Sequence, residues 1–340
     1  MIKTQLTEMI GIDHPIIQGG MGPFDTTRLA VAVSEAGALG VISTTGILTG
    51  LGKMEDYGVK KRGSNKDMIK EAIKFVNART DKPFGVNLPV PTVAVVMGVL
   101  TPIFKGIFEL REEDPEIREK LRVIITSAGD PKPHVKRIQK RAPDVTHIHV
   151  VPAISYAKHT EECGVDVIVA SGHEGGGHIN PRAVHSIVLL PAVLENVKTP
   201  VVAAGGFGDG LGLAIALKFG AIGIQMGTRF IATKESDFVQ GAKDVIVKAG
   251  DQDTVVTQGL IGHMRYWRNY VSLELQEKVN SKLSEDEIMR FEGTHFLRMK
   301  DGDVENGLLP MGEIAGRIDD IPTCKELIDR IIKDAEKILD

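Results

Sequence analysis

The chain has 340 residues, 42% of them hydrophobic, with a formal net charge of −4 and a pI of about 6.2. That balance excludes a dedicated nucleic-acid binder, which carries a basic face, and no apolar run approaches the ~18 residues of a membrane span. Two cysteines far apart, Cys163 and Cys324, read as reduced thiols, and MIKTQLTEMIGIDHP lacks the apolar core of a signal peptide, so a cytoplasmic protein is expected.

Short apolar runs alternate with helix-like segments along most of the chain. Residues 15–21 (PIIQGGM) read as a buried strand ending in glycines, 26–36 as a helix stopped by Gly37, and 40–44 (GVIST) as the next strand. Residues 50–65 read as a long polar loop, 66–79 as a helix and 83–88 (PFGVNL) as a strand. In 91–121 the pattern predicts a helix broken at Pro102, then a charged helix or loop. Strands follow at 122–127, 146–151, 165–170, 200–204 and 221–226, separated by helices at 133–141, 154–163, 184–196 and 211–219.

Continuous apolar strands are buried on both faces, which implies a parallel sheet. Eight strand–helix units predict an α/β fold of the (β/α)8 barrel type. Beyond Phe230 the strand signal stops. Residues 234–282 look mostly helical, 285–303 are polar, and 324–339 form a last amphipathic helix. The expected organisation is a barrel from 1–230 and 321–340, with 231–320 a mainly helical insertion that caps the substrate region and could support a homodimer.

The segment ASGHEGGGHIN (170–180) follows an apolar strand directly. A zincin pair needs two histidines four apart on a helix, whereas His173 and His178 are five apart across three glycines, so no metal is expected. A glycine loop at a barrel strand end instead lets backbone approach a ligand on the catalytic face. His178 is the expected catalytic imidazole, able to act as acid, base or hydrogen-bond donor. His173 fits equally on sequence logic, and Glu174 would position the loop by accepting backbone N–H groups. His147 and His149 alternate on strand five, so one is expected to face the barrel interior, as a packed residue.

AAGGFGDG (203–210) and QMGTRF (225–230) follow strands seven and eight, where barrels build phosphate sites. Gly205, Gly206, Gly227 and Thr228 would offer backbone N–H groups and a hydroxyl. A dinucleotide fingerprint does not fit, because the sixth position counted from Gly206 is Leu211. Gln18, Asn87, Ser127 and Gln225 end other strands and suit the edge of a flat, heteroatom-rich cofactor.

PIIQGGMG, DKPFGVNL, ITSAGDP, GGHI, VVAAGGFGDG, MGTRFIATKES and GDVENGLLPMGEIAGRI (302–318) together resemble the nitronate monooxygenase (2-nitropropane dioxygenase-like) flavoproteins. That superfamily includes FMN-dependent enoyl-[acyl-carrier-protein] reductases and an FMN NADH:quinone reductase. The resemblance implies a TIM barrel with non-covalent FMN at its C-terminal face. The phosphate loops fall on Gly205, Gly206, Gly227 and Thr228, the flavin-contacting strand ends on Gly19, Gly20, Met21, Asn87 and Gln225, and the active-site histidine on His178. Ser127, Glu174, Gly176 and Gly177 complete the set expected around the cofactor. Gly175 stands where the family usually has Ala or Ser, Asn180 replaces a common glycine, and Val150 falls where the quinone reductases carry a lysine. The favoured activity is oxidation of alkyl nitronates with O2. The alternative is an NAD(P)H-dependent reductase of an enoyl thioester or quinone, with an acyl carrier protein as a partner that Lys60, Lys61 and Arg62 would meet.

Overall fold

The computed structural model describes residues 2–49, 63–91, 94–259 and 261–340. Most of the expected polar loop at 50–65, with Lys60, Lys61 and Arg62, lies outside the described residues.

Among the described residues, nine strands follow one another before residue 230: β1 (Ile16–Gln18), β2 (Gly40–Ser43), β3 (Phe84–Pro89), β4 (Leu121–Ser127), β5 (Thr146–Val151), β6 (Val167–Ser171), β7 (Gly177–His178), β8 (Val201–Ala204) and β9 (Ile224–Met226). All but β7 pair in parallel, in the order β1-β9-β8-β6-β5-β4-β3-β2. The two ends meet through a parallel bridge between Ile17 and Leu39, which closes the barrel. Gln18 extends this seam with its side chain, donating to the Val41 carbonyl (2.9 Å) and accepting from the Val41 amide (3.1 Å). Both ends of its amide serve closure, so Gln18 has a structural occupation rather than the cofactor-edge one its sequence position suggests.

Strand residues alternate strictly between two layers. Ile17, Val41, Val123, Ile125, Ile148, Val167, Val169, Val202 and Ala204 form one cluster inside the barrel, together with Leu6 and Ile10 of the N-terminal helix. Their neighbours Ile16, Ile168, Ala170, Val201, Ala203 and Ile224 face the surrounding helices. The same parity turns both His147 and His149 toward the helix layer, not one of them inward. They are 3% and 2% exposed and share the Thr126 hydroxyl, His147 Nε2 at 2.9 Å and His149 Nδ1 at 2.8 Å.

Pro102 does not break its helix, which runs Ala94–Glu113. An interior proline costs roughly 3 kcal/mol, but Ile103, Phe104, Ile107 and Phe108 are all buried on this helix, and each is worth about 1.5–3 kcal/mol. The helix ends where Asp114, preceding Pro115, caps the next one.

The segment after β9 holds more than helices. A hairpin of β10 (Thr254–Gly259) and β11 (Gly262–Trp267) interrupts 234–282, and the polar 285–303 stretch is largely a helix, Glu285–Lys300, entered through a Ser284 and Glu287 capping box. The helix Cys324–Leu339 returns to the barrel, burying Leu327, Ile328 and Ile331 in the cluster that holds Leu213 and Leu29. No described helix is long and apolar enough to cross a membrane.

Candidate active site

Parity also decides what reaches the C-terminal end of the barrel interior. Asn87, Ser127, Ser171 and Gln225 continue the inward-facing series of β3, β4, β6 and β9 beyond its last apolar residues. Asn87 donates to the Ser127 hydroxyl at 3.1 Å. A Cβ on Gly20 would lie 2.2 Å from the Asn87 side-chain oxygen, so the QGGMG turn packs its backbone directly on that amide. Gly19 donates to the Met226 carbonyl at 2.8 Å and touches Gln225. Met21 lies against Gly227, its sulfur 3.8 Å from the Cβ position. After Ser127, Ala128 holds a left-handed φ of 54°, a strained conformation that turns the chain sharply out of the barrel.

The opening loop of β6 crosses the other half of this rim. Glu174 accepts from the Ser186 amide (2.9 and 3.0 Å) and hydroxyl (3.1 Å), anchoring the loop to the start of the helix Ser186–Leu194. Gly205 and Gly206 both take φ of 82°, and a Cβ on Gly205 would strike the Gly172 backbone at 2.6 Å. Only glycine satisfies both demands there. Gly206 in turn faces the Glu174 side chain.

His178 sits in β7, which is not a barrel strand. It pairs antiparallel with β11, Met264 opposite His178 and Arg265 opposite Gly177, and the Ile179 amide donates to the His263 carbonyl at 2.9 Å. The hairpin beyond the barrel therefore holds the histidine. His178 is exposed to solvent, yet the surrounding protein disfavours its imidazolium and lowers its pKa.

His173 is placed differently. Its carbonyl accepts from Arg265, its ring meets His185 edge-on at 5.5 Å, and burial followed by the charge of Arg265 lowers its pKa. It packs the loop, while His178 stays exposed beside Met264 of β11.

Two contributors lie far along the chain from these motifs. Arg265, 5% exposed, donates to the His173 carbonyl (3.0 and 3.3 Å) and to Thr254 (2.8 Å), and pairs with Glu313 at 2.9 Å. Gly312 donates to the Thr228 hydroxyl at 2.9 Å, and a Cβ on Gly176 would lie 2.6 Å from the Gly312 nitrogen. The Glu313 amide donates to the Glu174 carbonyl at 2.9 Å. An arginine between Met264 and Tyr266 in the mixed segment GHMRYW was the available signal for Arg265. Gly312 falls inside the family-like stretch 302–318, but no residue pattern there marks it as part of the site.

These contacts join the expected residues into one ring around the barrel mouth. The ring fits a flat, heteroatom-rich group with a phosphate. The Gln225 side-chain oxygen is buried without a partner, which suits a ligand N–H. The Thr228 hydroxyl, accepting from Gly312, keeps its proton to donate.

Comparison with known proteins agrees with this geometry. A family model described as nitronate monooxygenase matches residues 3–334. The chain is 33% identical to the (3aS,4S,5R,7aS)-5-hydroxy-7a-methyl-1-oxo-octahydro-1H-indene-4-carboxyl-CoA dehydrogenase of Rhodococcus jostii, with 100% of this chain and 97% of that one covered. It is 30% identical to a probable nitronate monooxygenase of Staphylococcus aureus, over 77% of each. The structure of FabK from Thermotoga maritima superposes with a TM-score of 0.83 at 34% identity, covering 100% of this chain and 98% of that one. The chain belongs to the nitronate monooxygenase family of FMN-type oxidoreductases.

Proposed function

We propose that this protein binds FMN at the barrel mouth and reduces the C2=C3 bond of an acyl thioester, with NAD(P)H as the reductant. One observation carries this reading: the relatives 33–34% identical along the whole chain are FabK and a dehydrogenase named for a CoA thioester, while the probable nitronate monooxygenase is 30% identical over 77% and a nitroalkane oxidase structure aligned over 98% is only 22% identical. Whole-chain alignment takes in the hairpin and the Met311–Glu313 segment that together hold His178. Bound FMN supplies hydride exchange between the nicotinamide and the substrate.

The chain supplies everything around that exchange. Gly205, Gly206, Gly227 and Thr228 hold the phosphate, while Gly19, Gly20, Met21, Asn87, Ser127 and Gln225 meet the ring edge. Glu174, Gly176 and Gly177 fix the loop at the flavin face. His178 is neutral at pH 7, since its pKa is lowered, and one N–H donates to the thioester carbonyl, where negative charge develops as the double bond is reduced. Residues 231–320 cap the substrate through β10 and β11.

Oxidation of nitronates is the second reading, favoured by the family model itself. A nitronate is an anion and gains from a free cation, but Arg265 beside the loop is already committed to Glu313 and the His173 carbonyl. A quinone reductase reading loses support because Val150, inside the barrel, stands where that branch has lysine.

Steady-state assays separate the readings: NAD(P)H with 2-enoyl thioesters under nitrogen, against alkyl nitronates in air. Thioester turnover is expected, and His178→Ala lowers kcat by roughly 10²–10⁴-fold while FMN content is unchanged. Turnover of nitronates alone, or full activity in His178→Ala, contradicts the proposal.

A further inference from the structure

Outside the barrel mouth, three side chains of different chemistry converge on the outer helix layer. His159 and Cys163 stand four residues apart on the helix Ile154–Cys163, so they share one face. Asp130 approaches from the loop after β4, where its carboxylate also accepts from the Lys132 amide at 2.9 Å. His159 Nε2 lies 3.0 Å from Asp130 Oδ1 and 3.6 Å from Cys163 Sγ, and all three donor atoms lie within 4.8 Å of one another.

The detail that decides between interpretations is the shared nitrogen. A Cys–His–Asp relay uses both ring nitrogens, one toward the thiol and the other toward the carboxylate. Here the same Nε2 faces both partners. One N–H satisfies only one of them, whereas a cation at the centre satisfies all three. Ligands at zinc bond lengths stand roughly 3.3–3.6 Å apart around a tetrahedral ion, near the 3.0 and 3.6 Å that His159 Nε2 keeps from its two partners.

We propose that Asp130, His159 and Cys163 form a binding site for a divalent transition metal of zinc's class, with water completing the coordination. A thiolate with an imidazole selects zinc over magnesium or calcium, which take oxygen ligands. The carboxylate and imidazole side chains are each 41% exposed, which leaves the ion an entry path. Binding converts the Cys163 thiol to thiolate and releases its proton, so affinity falls as pH falls. Asp130 lies three residues beyond Ser127, so the ion also fixes the loop leaving the barrel mouth.

The test uses the FMN-loaded protein, freed of metal with a chelator and kept reduced. Zinc alone is titrated by calorimetry and cobalt alone by absorbance in the red, beyond the flavin bands. One equivalent is expected to bind with release of about one proton, and cobalt gives the strong bands of a tetrahedral thiolate site. Cys163→Ser, His159→Ala and Asp130→Asn each weaken zinc by at least about tenfold, and Cys163→Ser abolishes the proton release. Cys324→Ala, at a sealed position, leaves binding unchanged. All three ligand positions are partly exposed, and retained flavin absorbance reports folding for each variant. Zinc binding of equal strength in the three variants, or no stoichiometric binding by wild type, overturns the proposal.

Discussion

Gly175 and Gly176 are neighbours in one glycine run, and only the family resemblance, which puts Ala or Ser at Gly175, sets them apart in the sequence. The structure separates them. A Cβ on Gly175 meets only ordinary contacts, the nearest the Gly172 carbonyl at 3.4 Å, which explains why Ala or Ser is tolerable there. A Cβ on Gly176 collides with the backbone of Met311 and Gly312. Gly175→Ala is therefore expected to change stability by less than about 0.5 kcal/mol, and Gly176→Ala to cost about 1–3 kcal/mol with loss of FMN. Urea denaturation and flavin absorbance of the two variants check this, and equal behaviour contradicts it. The strand-end residues were legible because glycines and amides closing apolar runs carry a local signal. Gly312 was not, because its importance comes from the loop it touches.

At the scale of elements, the buried strands announced themselves as apolar runs. The hairpin β10–β11 did not, since TVVTQG and GHMRYW mix polar and apolar residues between charged, helix-like stretches. Its function is to extend into β7 and hold His178, with Arg265 as the clamp. Arg265→Ala strands the His173 carbonyl and leaves Glu313 without its cation. The expected cost is about 2–3 kcal/mol, and hydrogen exchange at the Ile179 amide accelerates, since that bond depends on β11. Unchanged exchange at Ile179 would separate the clamp from the loop.

Strand parity likewise fixes how the molecule responds to acid. His147 and His149 face the helix layer together because residues two apart share a side, a point the sequence reading missed. Burial lowers their pKa values to about 3 and about 4, so both are neutral in the fold. Unfolding frees them to take up protons near their ordinary value of 6.5. Their contribution, on the order of a few kcal/mol, is complete above pH 6.5 and is lost as pH falls toward 4 and then 3. Urea midpoints measured from pH 7 to 4.5 should fall, and His147→Asn should flatten that slope. A slope unaffected by the substitution contradicts the assignment.

For the whole molecule, the barrel was readable from eight strand–helix units, and the family from motifs spread along nearly the full chain. The substrate was less legible. It depends on contacts that join the loop after β6, β11 and the 311–313 segment, which no single motif encodes. The helical reading of 234–282 hid the hairpin that supplies β11. The central proposal is that FMN at this mouth passes reducing equivalents to an acyl thioester. The most direct measurement follows the flavin's visible band in two anaerobic half-reactions. Adding NADH or NADPH should bleach the band, and a 2-enoyl thioester should then restore it without oxygen. A band that ignores both nicotinamides but bleaches with an alkyl nitronate would contradict the account and establish nitronate oxidation instead.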